Sequence, residues 1–380
     1  MNEKKSTMRY CTCCVTPETQ EGIQFDDEGV CGACRNIQNK RENIDWAERR
    51  RLLDSIVAIY RGKSDYDCIL PFSGGKDSTF QLYFVIRELG LKPLVVRYNH
   101  WGYRPHVEEN NSRTFKTLGC DVVEFTPNWR VVRELMRKGV ELRGDFCWHC
   151  HTGIYGQVMQ MAVRFNIPLV LWGEASWEYT SASGKTIEEL EAEYFEKSIG
   201  LGLSAEDILK GNETNELTER DLKPFLFPSR EDIVRVGLRG VFLGNYIPWD
   251  TRRHVEIIKR ELGWQGTVVE GIPEEWDYEK IECKWQGVRD WSKFIKRGFG
   301  RTNHLASIDI RKGSMTREQG MDLVMRYDGK RPASLDVFLR EIGITEEQFM
   351  MWMLRHQVDP WDFSNHAIEK GKPLPDMKCW

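Results

Sequence analysis

Cys68-Ile-Leu-Pro-Phe72, followed at once by Ser73-Gly-Gly-Lys-Asp-Ser78, decides how the rest of the chain is organised. The first run has the length of a short buried strand. Two adjacent glycines then let the backbone turn tightly and bring its N–H groups against a ligand with no Cβ in the way. A helix expected from here to about Leu89, stopped by Gly90, adds unpaired N–H donors and a partial positive charge. Ser73 and Ser78 supply hydroxyls, Lys76 a full charge, and Asp77 a carboxylate that caps the helix or helps hold Mg2+. A plain Gly-Gly turn with a capping serine would need only part of this set. Strand, loop, lysine and helix start together predict a phosphate site.

Alternation of strands and helices continues outward. Pro93–Arg97, Asp121–Phe125 and Pro168–Trp172 read as further buried strands, separated by helices near 107–118 and 153–165. Short apolar strands alternating with helices predict an α/β fold with a doubly wound parallel sheet. The expected domains are a cysteine-rich ribbon over 1–40, a helical connector over 41–65, the nucleotide domain over 66–250 and a mainly helical C-terminal region over 251–380. A polar insertion over about 176–235 precedes the next apolar run at Val241. In the connector, Trp46, Leu52, Leu53, Ile56 and Ile59 are expected on one side.

The formal net charge is −4, which argues against a dedicated nucleic-acid partner, usually strongly basic. The first ten residues lack the apolar core of a signal peptide, and no run approaches the length of a membrane span. The expectation is therefore a cytoplasmic protein without a membrane partner, whose eleven cysteines serve as metal ligands, reactive thiols or small buried hydrophobes. Cys11 and Cys14, then Cys31 and Cys34, have the paired two-residue spacing of a closed Zn2+ ribbon, with Gln24–Gly29 as a hairpin between them. Cys147-Trp-His-Cys-His151 also spells a covalent haem motif, but that chemistry needs export. Cys147 and Cys150 stay open between a second metal or cluster site (with His149, His151 or Cys283), a redox dithiol, and two inert thiols at a helix start.

The loop does not fit a Walker A pattern. It resembles the SGGxDS loop of the PP-loop ATP pyrophosphatases, which cut ATP between its α and β phosphates and leave AMP on a substrate oxygen. That resemblance implies ATP and Mg2+ at Ser73, Gly74, Gly75, Lys76, Asp77 and Ser78. It also implies contacts at the ends of the second and fourth strands, from Arg97, Asn99 and Gly173, with Glu174 positioning metal or substrate. Lys76, Asp77 and Glu174 are the catalytic candidates. Arg252, Arg253, Arg297 and Arg301 are candidate anion clamps, since arginine offers a planar fork.

The wording narrows further. Tyr10–Thr19, Phe25–Cys34, Phe146-Cys-Trp-His-Cys-His-Thr-Gly153, Trp172-Gly-Glu174 and Gly298-Phe-Gly-Arg301 together resemble the N-acetyl sugar amidotransferases of bacterial surface-polysaccharide biosynthesis, lipopolysaccharide O-antigen and flagellar glycans among them. The likeness runs from about residue 9 to beyond 330. It implies conversion of the acetamido group of a nucleotide-linked N-acetyl sugar into an acetamidino group. It also implies a separate glutamine amidotransferase (glutaminase) subunit as ammonia source, sometimes with a cyclase-like subunit, because no glutaminase triad stands out in this chain. A tRNA-modifying PP-loop thiolase with an iron–sulfur cluster is the rival enzyme. A binding protein that only senses ATP is the rival from another class, and the intact Lys76, Asp77 and Ser78 weigh against it.

Overall fold

The computed structural model describes residues 8–173, 203–210 and 217–380; Glu174 and much of the expected insertion lie outside the described residues. The elements that matter here are α1 (Gly32–Asn43), α2 (Trp46–Tyr60), β1 (Cys68–Pro71), α3 (Lys76–Tyr83), β2 (Pro93–Tyr98), α4 (Pro105–Leu118), β3 (Asp121–Phe125), α5 (Trp129–Arg143), α6 (Trp148–Arg164) and β4 (Leu169–Trp172). They continue with α7 (Arg230–Val236), β5 (Arg239–Phe242), α8 (Thr251–Leu262), α9 (Gln286–Arg297), α10 (Arg301–Lys312), α11 (Arg317–Tyr327), α12 (Ser334–Ile342) and α13 (Glu346–Arg355).

The five strands are all parallel, in the order β3-β2-β1-β4-β5. The chain winds outward from β1 to β3, then returns to the other side of β1 for β4. The ends of β1 and β4 therefore part at a switch point, where α/β sheets bind ligands. Alternate side chains cover opposite faces. Cys68, Leu70, Val95, Leu169 and Leu171 join the core that includes residues of α2, α3 and α8. Ile69, Leu94, Val96, Val170 and Trp172 pack instead with Val158, Met159 and Ala162 of α6. The first core runs through residue 250 without a break, joining Val241 and Ile247 to Val255, Ile258, Trp264 and Trp276. A further core joins α5 and α6 to α9, α12 and α13 through Leu135, Trp148, Trp291, Phe338 and Phe349.

Three local readings change. In α2 the buried residues are Leu53, Ile56 and Val57, whereas Leu52 and Ile59 are 45% and 56% exposed. The docked stripe is narrower than the apolar residues allow, because tertiary contact with the sheet core selects the face. Helix α5 lies between β3 and the Cys147 motif, a span the sequence reading leaves without an element. Its Val131, Val132, Leu135, Met136 and Val140 are buried at helical spacing behind an Asn128 cap. The second cysteine pair runs directly into a helix, since Cys31 precedes α1 and Cys34 lies in its first turn. The capping box at Thr345 and Gln348 is present as expected, with Phe349, Trp352 and Met353 buried behind it. Among the described residues, no helix is long and apolar enough to cross a membrane.

Candidate active site

The glycine loop is held open from within. Ser78 Oγ accepts the N–H of Ser73 at 3.2 Å and of Gly74 at 3.1 Å, and itself donates to Gly75 O at 3.2 Å. Gly74 has φ +86°. A Cβ there would stand 2.2 Å from Asn111 Oδ1 of α4, so this position requires glycine on two counts. Gly75 faces Glu282, whose carboxylate would stand 2.8 Å from an added Cβ and whose Oε2 is buried without a hydrogen-bond partner.

Lys76 opens α3 and is buried. Its ammonium bridges two carboxylates, Asp77 Oδ2 at 2.7 Å and Glu279 Oε2 at 2.8 Å. Arg301 approaches Glu279 on the far side at 3.5 Å and reaches Asp290 at 3.2 Å. Burial works against a charged Glu279, but Lys76 and Arg301 outweigh it and hold the carboxyl at a pKa of about 2. Two carboxylates sharing one cation fit a Mg2+ ion, which Asp77 and Glu279 would hold once Lys76 turns to a phosphate.

Arg301 is placed by the Gly298-Phe-Gly motif. Gly298, at φ +78°, ends α9, and Gly300 leads directly into α10. Asp328 accepts the N–H groups of Gly300, Thr302 and Asn303 at 2.8, 3.0 and 3.2 Å, capping α10 from outside. A Cβ on Gly300 would meet this carboxylate at 2.6 Å. Burial still dominates over these bonds and pushes the Asp328 carboxyl up to about 7.

Lys76, Asp77, Glu279 and Arg301 line one cavity of about 770 Å³, within the size range of cofactor sites. Its walls come from Lys76 and Asp77 at the start of α3, from α9 and α10, the Arg143–Phe146 turn and the ribbon; Ser73, Gly74, Gly75 and Ser78 do not line it. Eleven lysines and arginines line it against six aspartates and glutamates, an excess of positive charge in a chain of net charge −4. Of the arginines singled out in the sequence, Arg252 lines the cavity and pairs with Asp309 at 2.5 Å. Arg297 lines it too, bonded to Thr19 O at 2.6 Å and Glu21 at 2.7 Å. Arg253 lies outside it and is exposed.

The strand-end residues, Arg97 and Asn99 at the end of β2 and Gly173 after β4, have other partners and do not line the cavity. Arg97 is buried between Glu108 at 2.6 Å and Glu124 at 2.7 Å. Asn99 accepts the Trp101 N–H at 2.9 Å and so holds the turn after β2. Gly173 O accepts the N–H of Gly244, and a Cβ on Gly173 would crowd Gln81 and Trp249. Glu279, Asp290 and Lys293 escaped the sequence reading. The signal for Lys293 was available, because Arg289, Lys293 and Lys296 recur at helical spacing opposite Val288, Trp291 and Ile295. Glu279 carries no such local signal.

Cys11, Cys14, Cys31 and Cys34 bring their sulfurs within 4.8 Å of one another. The Cys11–Cys34 and Cys14–Cys31 separations are 3.9 and 3.8 Å. Metal–sulfur bonds of about 2.3 Å in a tetrahedron require edges of about 3.8 Å, so the set fits one closed metal site. The ribbon is fastened to the C-terminal helices: Asn303 Nδ2 donates to Val15 O at 2.7 Å, and Arg317 Nε to Cys14 O at 3.1 Å. Among the described residues these four alone form such a ligand set. Cys147 stands at the N-cap position of α6 without a side-chain capping bond, and Cys150 sits in its first turn; burial pushes both thiols up, Cys150 to about 12, and Cys283 nearby to about 11.

Residues 272–374 match the family described as LPS biosynthesis protein WbpG-like, C-terminal domain. That match spans a little over a quarter of the chain. Glu279, Arg301 and all of α9 and α10 lie inside the matched region, so that region supplies one wall of the cavity and Lys76 and Asp77 at the start of α3 another. An uncharacterised protein of Methanocaldococcus jannaschii, MJ1599, is 21% identical over 164 residues. That match covers 43% of this chain and 58% of the relative, so the chain spans a little over half of that relative's length. Among solved structures, the NMN synthetase of Francisella tularensis is similar at 11% identity and a TM-score of 0.26, covering 51% of this chain and 92% of that one. The U34-tRNA thiolase NcsA of Methanococcus maripaludis, solved with its [4Fe-4S] cluster, is similar at 11% identity and a TM-score of 0.32, covering 94% of each. The chain's own geometry is a five-stranded parallel sheet with the glycine loop following β1 at its switch point.

Proposed function

We propose that the protein is an ATP-dependent amidotransferase that converts the acetamido group of a nucleotide-linked N-acetyl sugar into an acetamidino group. One observation carries this reading: the glycine loop and the WbpG-like domain, matched to lipopolysaccharide biosynthesis, face the same positively lined cavity through Lys76 and Glu279. An amide oxygen is too poor a leaving group for direct exchange. Bonding it to the α-phosphorus of ATP breaks the α–β phosphoanhydride, releases pyrophosphate and makes an O-adenylyl imidate. The lone pair of ammonia then adds to the imidate carbon, a proton departs, and the C–O bond breaks as AMP leaves. Atoms and charge balance with ATP and ammonia alone.

In this reaction the start of α3 holds phosphate oxygens, joined by the Ser73 and Gly74 N–H groups once Ser78 Oγ gives them up. Lys76 leaves Glu279 and Asp77 to stabilise charge gathering on the departing pyrophosphate. Glu279 and Arg301 keep Lys76 from turning away before ATP arrives. Mg2+, held by Asp77 and Glu279, would neutralise phosphate charge. Ammonia comes from a partner glutaminase, with or without a cyclase-like subunit, and ammonium salt replaces that partner in vitro.

The test is incubation with ATP, Mg2+, ammonium chloride and UDP- or CMP-linked N-acetyl sugars, following AMP release and sugar mass together. AMP formed only with one sugar, with NH replacing O in its mass, is the expected result. AMP formed with tRNA and with no sugar would overturn it in favour of the thiolase. Lys76→Ala is expected to lower kcat for AMP formation about 100-fold or more.

A further inference from the structure

The cavity holds more positive charge than the glycine loop uses, and the excess is concentrated on one helix. Arg289, Lys293 and Lys296 lie at i, i+4 and i+7 along α9, and all three line the cavity. The opposite face of α9 is apolar and packed, through Val288, Trp291 and Ile295. The stripe therefore cannot rotate away from the cavity.

The carboxylates near this stripe are already committed. Asp145 is 3.4 Å from Arg289 and accepts the Cys147 N–H at 2.8 Å. Asp290 takes Arg301 at 3.2 Å and the Gln286 amide at 2.9 Å. Lys293 and Lys296 have no carboxylate within 4.0 Å among the described residues. The Lys293 ammonium lies over the Phe299 ring at 4.1 Å, and that of Lys296 donates to Arg143 O at 3.4 Å. Burial, helped by Arg301 and Arg289, pushes Lys293 down to about 8, and burial lowers Lys296 as well despite Asp145 and Glu21 nearby. Burying cations together is costly unless an anion sits between them.

We infer that Arg289, Lys293 and Lys296 of α9 form a second anion subsite, separate from the glycine loop, which binds the diphosphate of a nucleoside-diphosphate substrate. Neighbouring positions on a helix face lie about 5–6 Å apart at Cβ, which suits two linked phosphates. ATP then occupies the loop wall and the nucleotide sugar the α9 wall, with the acetamido oxygen brought toward the α-phosphorus between them. The identity of the ligand as the sugar donor rests on the amidotransferase reading; the diphosphate subsite itself rests on the geometry of α9.

The experiment is calorimetric binding of UDP, UMP and α,β-methylene-ATP to the full chain, comparing wild type with Lys293→Gln, Lys296→Gln and Lys293→Arg, each checked for an unchanged melting curve. UDP is expected to bind at least tenfold more tightly than UMP. Either glutamine variant should weaken UDP tenfold or more while leaving α,β-methylene-ATP within twofold, and Lys293→Arg should restore UDP binding. UDP binding that is unchanged in both glutamine variants, or UMP binding as tightly as UDP, would overturn the subsite. An equal loss of α,β-methylene-ATP would assign the stripe to the ATP tail and overturn it as well. Turnover separates the two readings. UDP binding that depends on Lys293, with no AMP formed from any N-acetyl sugar, would sink the amidotransferase and leave the subsite standing. Undiminished kcat/KM for amidination in the glutamine variants would do the reverse.

Discussion

Lys76 shows how a residue legible in the sequence acquires its meaning from one that was not. The loop motif marks it as the phosphate lysine, yet its ammonium rests on Glu279, about two hundred positions away in sequence and inside the region matched to the WbpG-like family. Both side chains are buried, so removing one charge leaves the other short of a partner. Glu279→Gln is expected to cost about 2–3 kcal/mol, less than a fully orphaned pair because Asp77 still holds Lys76. The sign of its pH dependence follows from the depressed pKa of about 2. The carboxylate contributes its stability above the unfolded value near 4.5, and loses it as pH falls through about 2. Thermal melts between pH 5 and 2 should therefore fall less steeply for Glu279→Gln than for wild type; parallel curves would show that the pair adds nothing.

At the scale of elements, α10 and the ribbon are tied to each other and to the site. Asp328 caps α10 although burial raises its carboxyl to about 7. Its folded state binds a proton more tightly than the unfolded chain, so the contribution is full below about pH 4 and is lost as pH rises through about 7. Asp328→Asn should remove that slope, seen as melting temperatures that change less between pH 4 and 7 than those of wild type. It should also cost about 1–2 kcal/mol, because an amide can accept through only one of its two ends. Removing metal acts on the same helices, since the ribbon bonds Asn303 and Arg317. Elemental analysis should find one metal per chain at the four cysteines. Cys31→Ser or chelation should lower the melting temperature of the whole protein rather than loosen the ribbon alone; an unchanged melt with the metal lost would contradict this coupling.

At the scale of the molecule, a net charge of −4 conceals a cavity lined by more cations than anions. Such a cavity focuses its field on anionic ligands while the outer surface stays acidic. UDP affinity should weaken several-fold between about 50 and 200 mM salt, as expected for charges only partly shielded from solvent. Binding insensitive to salt would place the ligand away from this cavity. Position by position, much of the site could be read in advance: the loop from strand, glycines and helix start, and the ribbon from the spacing of four cysteines. The wall facing the loop could not, because Glu279 has no motif around it and its role depends only on where the chain returns.

Local periodicity and short-range chemistry determined, from the sequence alone, a parallel α/β sheet with a phosphate loop after its first strand, a four-thiolate ribbon and a helical C-terminal region. Those features depend on residues within a few positions of one another: apolar runs of strand length, glycines at a turn, cysteines three apart. Tertiary structure alone decided which face of α2 is buried, that one core runs through residue 250, and that α9 and α10 line one cavity with Lys76 and Asp77. These depend on contacts between segments far apart in the chain, whose energy comes from packing and ion pairing that no local pattern records.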